Sequence, residues 1–119
     1  MNKEQQIKVV ENIKNNYNIN IIINDTEPYV LYDARDIASI LEMTNIRNAI
    51  SHFNSEEKTV CKSNTKTGLK NKNYLTHKGL LRLICSSRKP KTISFCNNIG
   101  IDIHTTIYSS IECETIHCI

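Results

Sequence analysis

Between Lys58 and Ile101 the chain holds ten basic side chains and no acidic one: Lys58, Lys62, Lys66, Lys70, Lys72, Lys78, Arg82, Arg88, Lys89 and Lys91. Residues 1–57 carry five basic groups against nine acidic, and residues 102–119 none against three. The net charge of +3 thus conceals a segment near +10 between segments near −4 and −3. Folding does not require such segregation. A one-sided field attracts polyanions, and nucleic acid is the first to consider. Lys62, Lys66, Lys70 and Lys72 are too widely spaced to read bases but suit phosphate neutralisation with counterion release. With about five phosphates neutralised, log affinity falls with log salt at a slope of roughly −4 to −5. Arg88, Lys89 and Lys91 lie at a helix junction, where phosphate contact competes with favourable interaction at the preceding helix's carbonyl end. The plain alternative for any charge run is a solvated surface. The DNA reading therefore requires these cations to converge on one face.

A second set has the chemistry of base readout. Asn45, Arg47, Asn48, Ser51 and His52 fall on the outward side of a helix expected over residues 44–53. Arginine and asparagine make bidentate contacts with guanine and adenine edges in a major groove. An ordinary polar helix surface is the alternative. Arg82 interrupts an apolar stripe, so a structural salt bridge to the acidic N-terminal half competes with DNA contact. Tyr74 and His77 have the rings for stacking on an unpaired base, although a tyrosine at a strand end more often belongs to the core.

Catalytic apparatus is not recognisable: there is no paired-carboxylate motif, Ser/His/Asp order, Gly-rich phosphate loop or H-E-x-x-H. No catalytic residue, metal or cofactor is expected. The cysteines at 61, 85, 96, 113 and 118 form no C-x-x-C pair, and without a signal peptide they read as reduced thiols. A zinc site from Cys96, His104, His117 and Cys118 has no supporting spacing, and buried thiols are the expected reading.

The elements that must position these groups are signalled unevenly. Ile7, Val10 and Ile13 predict an amphipathic helix over 3–16. Ile19 to Ile23 and Tyr29 to Tyr32 flank the turn-like Asn24-Asp25-Thr26-Glu27-Pro28 and predict a hairpin. Asp33 caps a helix ending near Glu42-Met43; Thr44 caps a second with Ile46, Ala49, Ile50 and Phe53 inward. Together they predict a helix-turn-helix-like unit. Lys58 to Cys61 and Asn73 to Leu75 read as strands joined by a long connection from Lys62 to Lys72, of the length usually functional or flexible. Thr76 caps the next helix, and Pro90 opens another that Gly100 ends. Ser109 and Glu112 make a capping box for a last helix, beyond which the pattern stops at Ile119, as in a fragment of a longer polypeptide.

The 119 residues amount to one domain at most, with an apolar fraction of 39% that suits an ordinary fold. Nineteen isoleucines and fifteen asparagines would fit an AT-rich genome. No apolar run approaches the ~20 residues that span a bilayer, so no membrane partner is expected. The reading is an α+β domain, with small antiparallel hairpins packed on a helix-turn-helix-like core.

The order of features also resembles a family. Tyr29-Val30-Leu31-Tyr32-Asp33-Ala34-Arg35-Asp36-Ile37-Ala38-Ser39-Ile40-Leu41 is similar to the opening of the BRO N-terminal domain of large DNA viruses, with its "D-[IV]-A-x-x-L" helix. Thr44-Asn45-Ile46-Arg47-Asn48-Ala49-Ile50 resembles its "N-x-x-x-A-I" helix. Tyr74-Leu75-Thr76-His77-Lys78-Gly79-Leu80-Leu81-Arg82-Leu83-Ile84, with Ser87-Arg88, resembles the "[FY]-[LI]-[TN]-x-x-G-L-x-R-L-[IL]" and "S-R" block. The MSV-type branch is the nearest. Phe95-Cys96-Asn97-Asn98-Ile99 departs from the "F-x-x-W-[VA]" of many relatives.

The resemblance covers roughly residues 28–100 and implies a DNA-binding module related to the KilA-N group. Such modules are often fused to a separate C-terminal domain, for which nuclease activity is one expectation. The partner expected is duplex DNA, with single-stranded DNA or RNA as alternatives, inside a host cell's cytoplasm or nucleus. The rival reading is a homodimerisation module using the first helix and the isoleucine stripe of 103–119.

Overall fold

The computed structural model describes residues 2–87 and 89–101. Arg88, the capping box at Ser109 and Glu112, the stripe of 103–119, and His104, His117 and Cys118 lie outside them. Helix α1 (Lys3–Asn16) opens with a reciprocal cap: the Gln5 amide N–H donates to the Asn2 side chain at 2.8 Å, and the Asn2 N–H donates to Gln5 Oε1 at 3.0 Å. It buries Val9, Val10 and Ile13. Strands β1 (Ile21–Ile23) and β2 (Val30–Asp33) pair antiparallel, Ile22 opposite Leu31. Ile19, expected in the first strand, packs on the core from outside it.

Asp33 ends β2 and caps α2 (Ala34–Ile40), accepting the N–H groups of Arg35 and Asp36 at 2.9 and 3.3 Å. Ile37, Ala38 and Leu41 face inward. The chain turns through Glu42 at φ 55 into α3 (Ile46–Ala49). Here the expectation is corrected twice: the cap is Asn45, not Thr44, and the helix is a single turn, not a rod to Phe53. Bonds from Ser51 N–H to the Asn48 carbonyl and from Phe53 N–H to the Ile50 carbonyl carry the chain onward as turns. The Ser51 hydroxyl donates to the Asn48 carbonyl at 2.8 Å, local competition that weakens helix in such polar sequence. Ile50 and Phe53 are still buried.

The largest correction concerns residues 62–72. They are not a loop: β3 (Lys58–Thr65) and β4 (Gly68–Thr76) pair along their length, leaving only Lys66-Thr67 as the turn. Gly68 takes φ 113 there, which L side chains adopt only under strain. Both hairpins share one antiparallel sheet, ordered β1-β2-β4-β3. β2 reaches β4 only at Tyr74–Thr76. The six residues Gly68–Asn73 and their β3 partners therefore project about 20 Å as a free two-stranded arm.

Helix α4 (His77–Ser86) is capped by the Thr76 hydroxyl, which accepts the Gly79 N–H at 3.1 Å and donates to the Glu56 carbonyl at 2.6 Å. Helix α5 (Pro90–Ile99) starts with its proline and ends at Gly100, φ 80. It packs on α1, where the Asn12 side chain donates to the Ile99 carbonyl at 3.1 Å. Cys96 is wholly buried in this core, which pushes its thiol up to about 11 and keeps it unreactive. The Ser87 and Thr92 hydroxyls bond each other at 2.8 Å across the α4–α5 junction.

A Cβ on Gly79 would land on the Glu57 carbonyl oxygen, a backbone atom with no freedom to yield. Gly79→Ala is expected to lower stability by about 3 kcal/mol in urea unfolding, more than helix propensity alone would allow any gain to offset. His77 is buried, and desolvation lowers its pKa to about 4; its Nδ1 lies 3.2 Å from the Tyr32 hydroxyl, which burial keeps protonated as donor. The unfolded ring titrates near 6.5. Stability is therefore complete above that pH and falls by up to about 3 kcal/mol as pH drops from about 6.5 to about 4. Urea midpoints across this window should show the loss, and His77→Phe should remove that part of it.

Candidate nucleic-acid interface

The nine described cations of the basic segment do not form one patch. Four are paired with carboxylates from the N-terminal half: Lys72 with Asp33 at 3.6 Å, Lys78 with Glu56 at 3.0 Å, Arg82 with Glu57 at 2.6 Å and Lys91 with Glu42 at 3.8 Å. Two more donate to carbonyl oxygens, Lys58 to Ile50 at 2.9 Å and Lys89 to Glu42 at 3.0 Å. Lys62, Lys66 and Lys70 remain, exposed and without an ion pair among the described residues; all three lie on the projecting arm. The expectation that the cations converge on one face is not met. Six are engaged within the fold, and of the three that remain Lys62 and Lys70 lie on opposite faces of the arm, which leaves the arm as a whole as the unopposed basic element.

Arg82 illustrates why the other cations are occupied. Glu57 is only 5% exposed and needs a countercharge. The guanidinium supplies it and lies over the Phe53 ring, 4.6 Å from its centroid. This arginine is structural. Tyr74 and His77 are buried, so neither offers a ring for stacking. Lys89 and Lys91 fasten the start of α5 to the turn after α2 rather than standing free.

Pairing register sorts the arm's side chains, because residues opposite each other in an antiparallel ladder share a face. One face carries Lys70 and Lys72, with Cys61 opposite Lys72. The other carries Lys62 opposite Asn71, Asn64 opposite Leu69 and Val60 opposite Asn73. At the base of that second face Lys58 reaches the Ile50 carbonyl, so the end of α3 adjoins it. The Lys72–Asp33 pair ties the first face to the start of α2.

On the helical side, Asn45, Arg47, Asn48, Ser51 and His52 are all exposed, as expected for them individually. A helix of four residues is about 6 Å long, so they present a knuckle and not a rod that lies along a groove. Asn45 and Arg47 line an open depression together with Arg35, Ser39 and Thr44. Neither guanidinium is in an ion pair among the described residues. Arg35 was missed by sequence reasoning. Its position two residues beyond the Asp33 cap, out of phase with Ile37, Ala38 and Leu41, places it on the outer side of α2; only tertiary structure brings it beside Arg47.

Among the described residues no group of three potential metal ligands comes together. No helix of the described residues is long and apolar enough to cross a membrane. Neither the curated proteins nor the solved structures contain a match to this chain. A family model does match: that of the BRO family, N-terminal domain, over residues 18–99. It begins just before β1 and ends with the last residue of α5, so it takes in the whole sheet, the α2–α3 unit and the arm. It names the family without distinguishing a branch within it. With most of its length inside that match, the chain belongs to the BRO family through its N-terminal domain.

Proposed function

We propose that this chain is a non-catalytic DNA-binding module of a viral protein. Its arm grips phosphates while the α2–α3 knuckle rests against the same duplex. The observation that carries this is the arm itself. Residues 58–76 contain no carboxylate, and the three lysines among them that have no ion pair among the described residues project on two strands and their turn beyond the core. Arg35 and Arg47 add two further unpaired cations at the depression between α2 and α3. Family membership supports the same reading. Duplex DNA is favoured over single strands or RNA because no exposed tyrosine or phenylalanine stands on the arm to stack on free bases. The setting is the host cytoplasm or nucleus, where viral DNA resides.

One observation favours a second reading, a homodimer: among the described residues β3 is an edge of the sheet and offers its backbone to another strand. Lysines on such an edge also hinder strand addition, which would give Lys62 a protective role instead of a binding one. Light scattering separates the two readings, since lysine removal then promotes association and leaves DNA affinity unchanged.

The deciding measurement is fluorescence anisotropy with duplex DNA, single-stranded DNA and RNA across a salt series. With five cations engaged, the duplex slope of log affinity against log salt is expected near −4 to −5. Replacing Lys62, Lys66 and Lys70 together by Gln should reduce its magnitude by about 2 to 3, with unfolding unchanged because the arm contributes nothing to the core. A slope near zero for the duplex would end the proposal.

A further inference from the structure

We infer that the arm is a reading ribbon: the face bearing Lys62, Asn64, Leu69 and Asn71 recognises A·T base pairs from the major groove. This rests on the DNA-binding reading above and specifies its ligand. Three observations converge on that face. The side-chain amides of Asn64, Asn71 and Asn73 have no hydrogen-bond partner among the described residues. Elsewhere, Asn12, Asn16, Asn24, Asn45, Asn54 and Asn98 use theirs to fasten backbone or a tyrosine. The amides of Asn15, Asn18, Asn20, Asn48 and Asn97 are also without a partner among the described residues; what sets Asn64, Asn71 and Asn73 apart is that they share one face of the arm. The same face holds the two most exposed large apolar side chains of the described residues, Leu69 at 68% and Val60 at 58%. The opposite face carries Lys70 and Lys72 and no amide, so the amides are confined to the face that also bears Lys62.

That combination matches one ligand surface. A two-stranded ribbon fits the major groove, where adenine presents N7 and the N6 amino group to an amide, and thymine presents its methyl group. An asparagine amide offers the donor and acceptor that adenine needs, and Leu69 offers an apolar contact for thymine. Lys62 stands between them for O6 and N7 of an adjoining guanine or for a flanking phosphate. Lys70, on the reverse face, faces the sugar-phosphate wall.

The test compares equal-length duplexes with A·T or G·C cores, the A·T core with 7-deazaadenine, and the A·T core with uracil for thymine. Anisotropy is read on the whole chain and on Asn71→Ala, Leu69→Ala and Lys70→Gln. The A·T core should bind at least about tenfold tighter than G·C, the scale of one good bidentate pair. 7-Deazaadenine, or Asn71→Ala, should collapse that preference to about twofold while the salt slope stays the same. Uracil should weaken the native chain but not Leu69→Ala. Lys70→Gln should weaken both cores equally and lower the slope magnitude by about 1.

Equal affinity for the two cores would overturn the inference and leave the DNA-binding reading intact. A preference untouched by 7-deazaadenine would also overturn it, since that change alters only the major-groove edge. Loss of a dimer on Leu69→Ala with base preference retained would show the face to be a pairing surface instead. Failure of the native chain to bind any duplex would sink both readings together.

Discussion

Where α4 begins, its backbone lies against the carbonyl of Glu57 with no space for a side chain between them, and Gly79 is the residue that permits this. The approach allows the Thr76 N–H to donate to the Glu57 carbonyl at 3.0 Å and the Thr76 hydroxyl to bond both Glu56 and Gly79. It also brings Arg82 onto the Glu57 carboxylate, whose other contact is the Asn54 N–H at 3.1 Å. Residues 53–57 are thereby fixed to α4. The end of α3 hangs from one side of this segment and β3 from the other. The direction of the arm and the placement of the Arg47 knuckle are both set by a glycine, a threonine and one half-exposed ion pair.

Seen from this junction, the block from Tyr74 to Ile84 that resembles the family pattern is mainly architectural. Tyr74 and Leu75 are buried strand, Thr76 is the cap, and Leu80, Leu83 and Ile84 are fully buried. Arg82 closes an ion pair, and the Ser87 hydroxyl beyond it holds Thr92. A stretch that reads as basic and motif-rich thus spends nearly all its side chains on the scaffold. The groups left free for a ligand sit in less distinctive sequence: asparagines and lysines of the arm, and arginines of two short helices.

The helices with caps and apolar periodicity were legible in the sequence. Asp33, Thr76 and Pro90 mark starts, and Gly100 marks an end, where local chemistry alone decides the boundary, whereas the reciprocal cap of Asn2 and Gln5 went unread beside the apolar spacing of α1. The arm was not legible for a physical reason. Both of its faces are solvated beyond Asn73, so no alternation of apolar and polar residues is required, and a strand without a buried face looks like a loop. The α3 segment kept its i, i+4, i+7 apolar pattern while losing its helix, because turns bury Ile50 and Phe53 equally well. For the site, the charge segregation was visible, but which cations are spent on Asp33, Glu42, Glu56 and Glu57 depends on contacts between distant segments. The same holds for the meeting of Arg35 and Arg47.

Because β2 releases β4 at Tyr74, the finger distal to that residue is attached to the fold by its own paired strands and, near its base, by the Lys72–Asp33 ion pair. Lengthening or shortening this hairpin leaves the interior untouched, so descendants can explore new ligands cheaply in stability. The pleat imposes one rule on such divergence. Changes of two residues per strand keep each side chain's facing, whereas a change of one exchanges amide for ammonium across the whole finger and rewrites its specificity at a stroke.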